Sequence, residues 1–447
     1  MAVWSHVTYR QCVEAARLDA EYYRPDYLRF AAAVANGNEL GRLAQIAHPA
    51  EIPRVYVAEG IRILLAQNIR AGFLDFSTAA FMPTSAEPRL RRNRLQPGDV
   101  MMTRSGANFG DAAVYLGQPP ALYACADCLI IRPTAAPAGY LATFLNTKCG
   151  RALVTRGAYG MAQPHIAPSY LKTLRVPRLD STVERRVDAL VRQAYECRTQ
   201  SLSQYEAAES LLLRELHLDT LDLSHDLTYE ASFSDTQAVG RMDAEYFEPR
   251  LRSALKLLSG QRTAIADFAS LAKRQFRPVP GTTFSYIEIG DIRAGGRANA
   301  HELRAEDAPS RATWAVQPGD VITSLVRPIR RLTAIISTEQ SGYVCSSGLA
   351  VLTPESVPSE LLLVYLRLPI IAELLDLHCA ASMYPAISTG DLMALPFPRP
   401  TDSAATSIAT KVRQAHTAEA ESRSLLHQAI ETVEELILGG SRDAGSP

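Results

Sequence analysis

The sequence predicts an α+β fold of two tandem globular modules, each followed by a long helix, with the two helices paired as an antiparallel coiled coil. Three observations predict this: blocks of sequence recur in order, two long stretches lack proline and glycine, and short β-rich runs precede each stretch. The length of 447 residues also exceeds that of a usual single domain. We expect an N-terminal element with the first module over 1–180, a helix over 181–226, the second module over 227–400, and a helix with a tail over 401–447.

The recurring blocks lie 221 to 224 residues apart. The first reads R-[LM]-D-A-E-Y-[YF]-x-P, and the others contain Q-P-G-D-V, a strand-like apolar run and V-R-Q-A. The pairs are Ala16–Pro25 with Gly240–Pro249, Leu95–Val100 with Val316–Val321, Cys128–Pro133 with Leu349–Pro354, and Val191–Ala194 with Val412–Ala415. Because this period is too long for a solenoid of short units, it indicates two copies of a domain-sized module.

Each module reads as strands followed by one short helix. Gly and Pro separate the β-rich runs of the first module, which are Val55–Ile69, Val100–Thr103, Ala112–Leu116 and Cys128–Ile131. The short helix is predicted over Gly139–Val154 in the first module and over Ser359–Leu375 in the second.

The long helices are predicted over residues 182–216 and 401–438, where no proline or glycine occurs. About 35 residues of continuous helix would be roughly 50 Å long. Small residues recur every seven positions and would let two helix backbones approach closely. They form the predicted seam, which consists of Ala194, Ser201, Ala208, Ala415, Ser422 and Ala429. The alternative is that each helix lies alone on its own module.

Charge is divided between the modules and the helices. The chain has a net charge of −1, whereas 181–226 carries −4, 401–447 carries −3 and the remainder carries +6. This distribution favours modules that contact a polyanion and helices that contact protein. The near-neutral total favours the alternative that no nucleic acid is bound.

The motif content argues against an enzyme. The chain has five lysines against 41 arginines, and no lysine follows a glycine, so a G-K-[ST] phosphate loop is missing. H-E-x-x-H, G-x-S-x-G and G-x-G-x-x-G are missing too. Seven irregularly spaced cysteines, no signal-peptide pattern and no membrane-length apolar run predict a cytoplasmic protein.

Three segments carry a family resemblance. Pro97–Gly106 resembles a P-G-D-[IV]-L-x-[TS]-R-x-G segment, Gln163–Pro177 resembles a Q-x-x-I…L-x-x-[IL]-x-[IVL]-P segment, and Val183–Val187 loosely resembles E-Q-x-x-I at a helix start. With the order module, helix, module, helix, the chain resembles the specificity subunit of type I restriction-modification enzymes, or a related defence-system subunit, over nearly its whole length. The second copy departs from the pattern at Thr323–Pro328, where the arginine is displaced and no glycine follows, and at Ser403–Lys411, where the E-Q pair is missing.

The resemblance implies a non-catalytic DNA-reading subunit. Each module would be a target-recognition domain for one half of a bipartite double-stranded DNA site, and the helices would space the modules and dock two DNA methyltransferase subunits. The implied cofactor, S-adenosylmethionine, would bind the methyltransferase, and this chain would hold neither a cofactor nor a metal. A motor-nuclease subunit is left open, as are the target bases.

Base-reading candidates are polar or flat side chains on loops beside the strands, because Asn and Gln suit adenine and Arg suits guanine. In the first module they are Gln67, Asn68, Arg70, Arg104, Ser105, Asn108, Tyr159, Gln163 and His165. In the second they are Arg293, Arg327, Arg330, Arg331, Ser382 and Tyr384. Phosphate contacts are assigned to Arg89, Arg91, Arg92, Arg94, Lys273, Arg274 and Arg277. Arg104 is the first choice, and its alternative is an ion pair with Asp111 that only stiffens the loop.

Two patterns that suggest metal binding are discounted. Cys125 and Cys128 form a C-x-x-C pair, but we expect a strand there, with its side chains on opposite faces, and the second copy has Ser346 and Leu349 instead. The repeated Asp19–Glu21 and Asp243–Glu245 segments suit a structural element that caps a helix or seats each module against the coiled coil.

Three classes of function therefore stand: a DNA-reading subunit, a protein-interaction adaptor with degenerate modules, and an enzyme. The intact Thr103–Gly106 loop favours the first over the second, and the missing motifs disfavour the third.

Overall fold

The computed structural model describes residues 4–160, 164–379 and 385–439. The chain forms two compact units, one drawn from Met1–Arg198 and Ala420–Pro447 and the other from Thr199–Glu419. Each unit therefore combines a sheet-rich module with one part of each long helix.

The chain as far as the end of its first long helix forms eight α-helices and thirteen short strands in its described residues. Its helices are α1 Tyr9–Ala15, α2 Pro25–Ala33, α3 Leu40–Leu43, α4 Glu87–Leu90, α5 Ala138–Asn146, α6 Lys148–Arg156, α7 Pro168–Thr173 and α8 Ser181–Glu215, the first long helix. Its strands are β1 Asn38–Glu39, β2 Ala44–Ala47, β3 Ile61–Leu64, β4 Ile69–Arg70, β5 Phe73–Leu74, β6 Ala80–Met82, β7 Val100–Thr103, β8 Ala112–Val114, β9 Tyr123–Ala124, β10 Cys128–Pro133, β11 Ala158–Tyr159, β12 His165–Ile166 and β13 Arg175–Val176.

The remainder of the chain has the same kinds of element. Its helices are α9 Phe233–Val239, α10 Pro249–Leu258, α11 Ser359–Arg367, α12 Pro369–Asp376, α13 Thr389–Ala394 and α14 Asp402–Gly439, the second long helix. Its strands are β14 Ala269–Leu271, β15 Thr283–Ile287, β16 His301–Arg304, β17 Ala312–Ala315, β18 Val321–Ser324, β19 Thr333–Ile335, β20 Val344–Ser346 and β21 Leu349–Pro354.

The sheets confirm that the modules are copies. The main sheet has the order β2-β10-β7-β8 in the first unit and β14-β21-β18-β19 in the second, antiparallel throughout. A second sheet contains one parallel pair in each unit, β3 with β9 and β15 with β20. Together with the long helices, this arrangement confirms the predicted α+β fold with two sheet-rich modules.

The predicted short helix is wrong in one respect, because each copy has two helices there. In the first copy Thr147 is extended, its hydroxyl donates to Phe144 O, and its oxygen caps α6 by accepting from Gly150 N. In the second copy Leu368 is extended because it precedes Pro369, which crowds the helical conformation. A local interaction breaks the helix at the same place in both copies, although the residues differ.

The D-A-E segments form local ion pairs in both copies, and the first of them caps a helical turn, as expected, whereas the side chain of Asp243 makes no cap hydrogen bond. Asp19 pairs with Arg17 at 2.6 Å and accepts a hydrogen bond from Tyr22 N at 3.0 Å, which caps a short helical turn. Asp243 pairs with Arg241 at 2.6 Å in the second copy.

The long helices pack against each other within each unit. In the first unit Val187 and Val191 of α8 share a core with Ala429 and Val433 of α14. In the second unit the core contains Ala208 and Leu212 of α8 with Ile408 and Val412 of α14. No helix in the described part of the chain, including these two, is long and apolar enough to span a membrane.

Two contacts give the antiparallel register. In the first unit the buried hydroxyl of Ser422 donates to Ala194 O at 2.6 Å. In the second unit Thr401 N donates to Glu215 Oε1 at 2.9 Å. Five of the six predicted seam residues are buried, namely Ser422, Ala194, Ala208, Ala415 and Ala429, whereas Ser201 is half-buried.

A buried aspartate anchors the main sheet of the first unit. Asp99, in the Q-P-G-D turn before β7, is about 1% exposed and accepts from Gln96 N at 2.7 Å. Arg132 at the end of β10 binds both carboxylate oxygens, at 2.7 and 2.8 Å. This bidentate pair compensates the buried charge and joins the turn to the neighbouring strand.

In the second unit the corresponding buried aspartate is bound by different side-chain donors. Asp320 is also buried and accepts from Gln317 N at 2.7 Å, but the position of Arg132 is occupied by Thr353, whose hydroxyl donates at 2.8 Å. Arg274, just after β14, supplies the missing positive charge by pairing with Asp320. The aspartate is thus a structural element of both copies.

Ser422→Leu should destabilise the helix pair. The extra methylenes overpack a site where the side chain lies against the opposite backbone, at a typical cost of about 1–3 kcal/mol. Chemical denaturation of the full chain measures this change. The control is Ser424→Leu, because Ser424 is exposed on the same helix. Equal stability of the two variants would contradict the packing at Ser422.

A buried histidine lies where the second module meets α14. His416 is buried and its Nε2 donates to Gly295 O at 2.8 Å. Burial lowers the pKa of His416 below its ordinary value of 6.5, and the charge of Arg297 acts in the same direction, whereas Glu419 and Glu360 oppose it.

The pH dependence of stability follows from this lowered pKa. As pH falls below 6.5, the unfolded chain takes up the His416 proton before the folded chain does, so stability is full above that pH and declines below it. The slope contributed is at most about 1.4 kcal/mol per pH unit. His416→Gln keeps a donor for Gly295 and should flatten the decline between pH 7 and 5 in denaturation experiments. His378→Gln, at an exposed position, should leave the decline unchanged.

Candidate nucleic-acid interface

Three separate loops of the first module meet at one surface. The side-chain amide of Asn108 donates to Ile69 O at 3.2 Å and to Gln67 O at 3.5 Å. Arg104 Nη2 donates to the Tyr159 hydroxyl at 3.3 Å. The fold therefore brings together predicted residues from the 66–70, 104–108 and 159–165 segments.

Arg104, Tyr159 and His165 form a polar cluster at this surface. The rings of Tyr159 and His165 lie 5.9 Å apart, and Ile166 N donates to Arg104 O at 3.4 Å. Among the described residues, Arg104 Nε and His165 Nδ1 are buried and find no hydrogen-bond partner. Native structures rarely leave such groups unsatisfied, so the cluster has unused capacity for polar contacts with a ligand.

The alternative ion pair of Arg104 with Asp111 is wrong. Asp111 instead pairs with Arg151, whose guanidinium also donates to Phe109 O at 3.2 Å. Asp111 thus holds its own loop, and Arg104 contacts Tyr159.

Two of the candidates in this module support the loops from inside. Asn68 is fully buried, accepting from Leu65 N at 2.9 Å and donating to Thr78 Oγ1 at 3.1 Å. Ser105 is buried and its hydroxyl donates to Asp127 Oδ1 at 3.1 Å. A side chain that is buried with its polar atoms occupied cannot reach a base edge, so we correct their assignment to supporting roles.

The other candidates of the first module differ in exposure. Gln67 and Tyr159 are exposed, whereas Arg70, Arg104, Asn108 and His165 are half-buried. Gln163 lies outside the described residues, as do Ser382 and Tyr384 of the second module.

Asp127 is a residue of this site that sequence reasoning missed. Its backbone carbonyl accepts from Arg104 N at 2.8 Å, and its carboxylate accepts from Ser105 and from Arg54 Nη2, the latter at 2.7 Å. It therefore braces the Arg104 loop from a segment that is distant in sequence. The sequence carried no signal for it beyond its place between two cysteines.

The corresponding loop of the second module has a different backbone. Arg327 and Arg331 adopt left-handed conformations, with φ of 52° and 56°, and flank the short turn Pro328–Arg330. The first module uses Gly106 and Gly110 in its loop, with φ of 105° and 80°. Residues other than glycine are strained in this conformation. The structure around the second-module loop must therefore hold it in place.

Arg367 joins two loops of the second module and was also missed. Its guanidinium donates to Thr333 O at 3.3 Å and to Ala294 O, and its own carbonyl accepts from Arg331 Nη1 at 3.5 Å. In the first copy the same position is Asn146, which bonds the backbone of β8.

Of the base-reading candidates in the second module, Arg293, Arg330 and Arg331 are exposed, whereas Arg327 is half-buried. Among the phosphate candidates, Arg91, Arg92 and Arg94 line a cleft of about 460 Å³ in the first unit together with Arg132. Arg89, Lys273 and Arg277 are exposed. Arg274 must be corrected, because its pairing with buried Asp320 leaves it unsuited to a phosphate contact.

The expected geometry of the C-x-x-C pair is wrong. A turn at residues 126–127 precedes β10, Cys128 N donates to Cys125 O at 3.1 Å, and the two Sγ atoms lie 3.7 Å apart. Within the described ranges, no group of three or more His, Cys, Asp or Glu side chains is arranged to hold a metal ion.

Comparisons with known proteins gave similarities among solved structures. No family model matches the sequence, and no curated protein matches it. A crystal structure of the S subunit of a type I restriction-modification system from M. genitalium is 10% identical with a TM-score of 0.42, covering 90% of this chain and 94% of that one. The HsdS subunit from Thermoanaerobacter tengcongensis is 14% identical with a TM-score of 0.26, covering 89% and 95%.

A third match comes from a study of complex assembly and conformational transition of the type I R-M system. It is 16% identical with a TM-score of 0.29, covering 90% of this chain and 95% of that one.

Asp127→Ala should loosen the Arg104 loop. Removing the carboxylate leaves Ser105 without its partner, at a cost of about 1 kcal/mol. Hydrogen exchange at residues 104–108 should become several-fold faster while the core strands keep their protection. Asp75→Ala is the control, since Asp75 accepts hydrogen bonds from Ser77 in a turn of the same module. Unchanged exchange in Asp127→Ala would contradict the bracing role.

Proposed function

We propose that this chain is a DNA sequence-specificity subunit that reads a bipartite duplex target, with one half-site for each module. It has no catalytic role of its own. The long helices dock two DNA methyltransferase subunits, which bind S-adenosylmethionine, and a motor-nuclease subunit is not required by the proposal.

The observation that carries the proposal is the loop cluster of the first module. Arg104, Asn108 and His165 come from segments far apart in sequence yet lie at one surface. Arginine presents the donors that match the guanine edge in the major groove, whereas the Asn108 amide already donates to Ile69 O and Gln67 O and so holds the loops together. Buried nitrogens without partners, on Arg104 and His165, are suited to a polar ligand.

Charge supports the division of labour. Arg91, Arg92 and Arg94 line a cleft in the first unit, where phosphates would position the duplex. The stretches around the long helices carry −4 and −3, which disfavours contact with DNA and suits a protein partner.

Duplication supports a bipartite target. The two modules share sheet order and the buried aspartate, whereas their loops differ in sequence and backbone. Two scaffolds of one kind with different loops suit two half-sites of different sequence.

A second candidate is a protein-interaction adaptor of a defence complex whose modules have lost specific DNA binding. The diversion of Arg274 to Asp320 and the near-neutral net charge favour it. It predicts no sequence preference in DNA selection.

Arg104→Ala should alter one half-site only. Losing a bidentate contact should cost about 1–3 kcal/mol and relax discrimination at one base, while the other half-site and the spacer stay unchanged. The measurement is selection of duplexes from a random library by the full chain assembled with its methyltransferase subunits.

Arg92→Ala is the matched control in the same module. A phosphate contact carries no sequence information, so its loss should weaken binding uniformly and reduce the salt dependence. An unchanged motif in Arg104→Ala, or a change in the half-site of the second module, would overturn the assignment of base reading to this loop.

A further inference from the structure

Cys125 and Cys128 are positioned to form a disulfide. Cys128 N donates to Cys125 O at 3.1 Å, which closes a turn, and the Sγ atoms lie 3.7 Å apart. A hydrogen-bonded turn keeps its end Cα atoms within about 7 Å, close to the range that a disulfide spans. Because a disulfide bond is about 2.05 Å long, the sulfurs need to approach by only about 1.6 Å.

The two thiols have different environments. Cys125 is half-buried, whereas Cys128 is fully buried at the start of β10. The hydrogen bond between the two thiols lowers the pKa of Cys125, whereas that bond and burial raise the pKa of Cys128. Cys125 is therefore the attacking thiol, and Cys128 is the thiol that resolves the mixed disulfide.

We propose that Cys125 and Cys128 are an oxidisable dithiol that reacts with a small-molecule disulfide, such as oxidised glutathione, and closes into a disulfide beneath the Arg104 loop. The Cys125 thiolate attacks one glutathione sulfur, the glutathione disulfide bond breaks, and one glutathione leaves as thiolate. Cys128 then loses its proton to solvent and attacks the Cys125 sulfur, releasing the second glutathione. Two protein thiols are oxidised and one glutathione disulfide is reduced to two thiols.

The turn moves when the disulfide closes. Cys128 is held in the sheet, where it pairs with Thr103 of β7. Cys125 is held as well, since its N donates to Leu64 O at 3.0 Å. The part of the closure that side-chain rotation does not supply is therefore taken up by the 126–127 turn, which includes Asp127. Asp127 O accepts from Arg104 N at 2.8 Å and its carboxylate accepts from Ser105 at 3.1 Å.

Oxidation thus disturbs the contacts that brace the Arg104 loop. The consequence for DNA reading rests on the proposed function, whereas the thiol chemistry does not. The second module lacks the dithiol, since Ser346 and Leu349 stand at the corresponding positions.

The test incubates the reduced full chain with oxidised and reduced glutathione, blocks free thiols with N-ethylmaleimide and maps tryptic peptides by mass. Both cysteines fall in one peptide, Ser105–Lys148, because trypsin does not cleave the Arg132–Pro133 bond. This peptide should escape alkylation and become lighter by two hydrogen atoms. It should do so at least about ten-fold faster than half-buried Cys197 is glutathionylated. A peptide that stays alkylated at both cysteines overturns the proposal.

Two serine variants test the order of attack. Cys128→Ser should stop at a glutathione adduct on Cys125, whereas Cys125→Ser should form an adduct at Cys128 far more slowly. The reverse order overturns the assignment of roles. Disulfide formation is tested on the wild-type chain alone. The proposal can therefore still be refuted if either variant fails to fold.

Two further readouts separate this proposal from the proposed function. Hydrogen exchange at the Arg104 amide should become several-fold faster after oxidation, and an unchanged rate overturns the coupling. DNA selection should then lose preference in one half-site, and reduction should restore it. If the disulfide forms and exchange rises while selection stays unchanged, the dithiol is supported and the base-reading role of this loop is overturned.

Discussion

Antiparallel packing of the long helices is the interaction on which each unit depends. In the first unit a single core joins Tyr140 of α5 to Val191 of α8 and Val433 of α14. In the second unit Leu212 of α8 and Val412 of α14 belong to the core of that module in the same way. In each unit the helical layer of the module packs against residues of both long helices, so burial of apolar surface ties module and helices into one cooperative unit.

The small-residue seam makes this packing possible. Ser422 can bond Ala194 O only because neither side chain holds the backbones apart. A larger residue would separate the helices and open the cores beneath them. The seam therefore restricts both the size and the polarity of its residues in α14, whereas a general amphipathic pattern restricts polarity alone.

The two copies share the order of strands in the main sheet and differ in the residues around it. The buried aspartates Asp99 and Asp320 have the same backbone role but take their positive charges from Arg132 in one copy and Arg274 in the other. A buried carboxylate needs a compensating positive charge. The second copy lacks the arginine that corresponds to Arg132 and supplies the charge from Arg274 instead. This requirement removes Arg274 from the surface set that its position in a basic stretch would suggest.

The loops show how chemistry is attached to the framework. Arg104 occupies a strand end, yet its orientation depends on contacts with Tyr159 and Asp127 from other segments. Because the brace at Asp127 lies between Cys125 and Cys128, the proposed disulfide would act on the loop through the turn that the three residues share. Such a link needs no long pathway, only a shared turn.

The sequence by itself determined the repeat, three of the four strands of the first main sheet, the long helices and the small residues of their seam, whereas β2 was not predicted. These follow from periodicity and from local preferences of the backbone, which act over a few residues. Only the tertiary structure decided that Asn68 and Ser105 face inward, that Arg274 is paired, and that the Cys125 and Cys128 sulfurs converge. Burial, ion pairing and loop convergence depend on segments far apart in the chain, and no local pattern records which of them will meet.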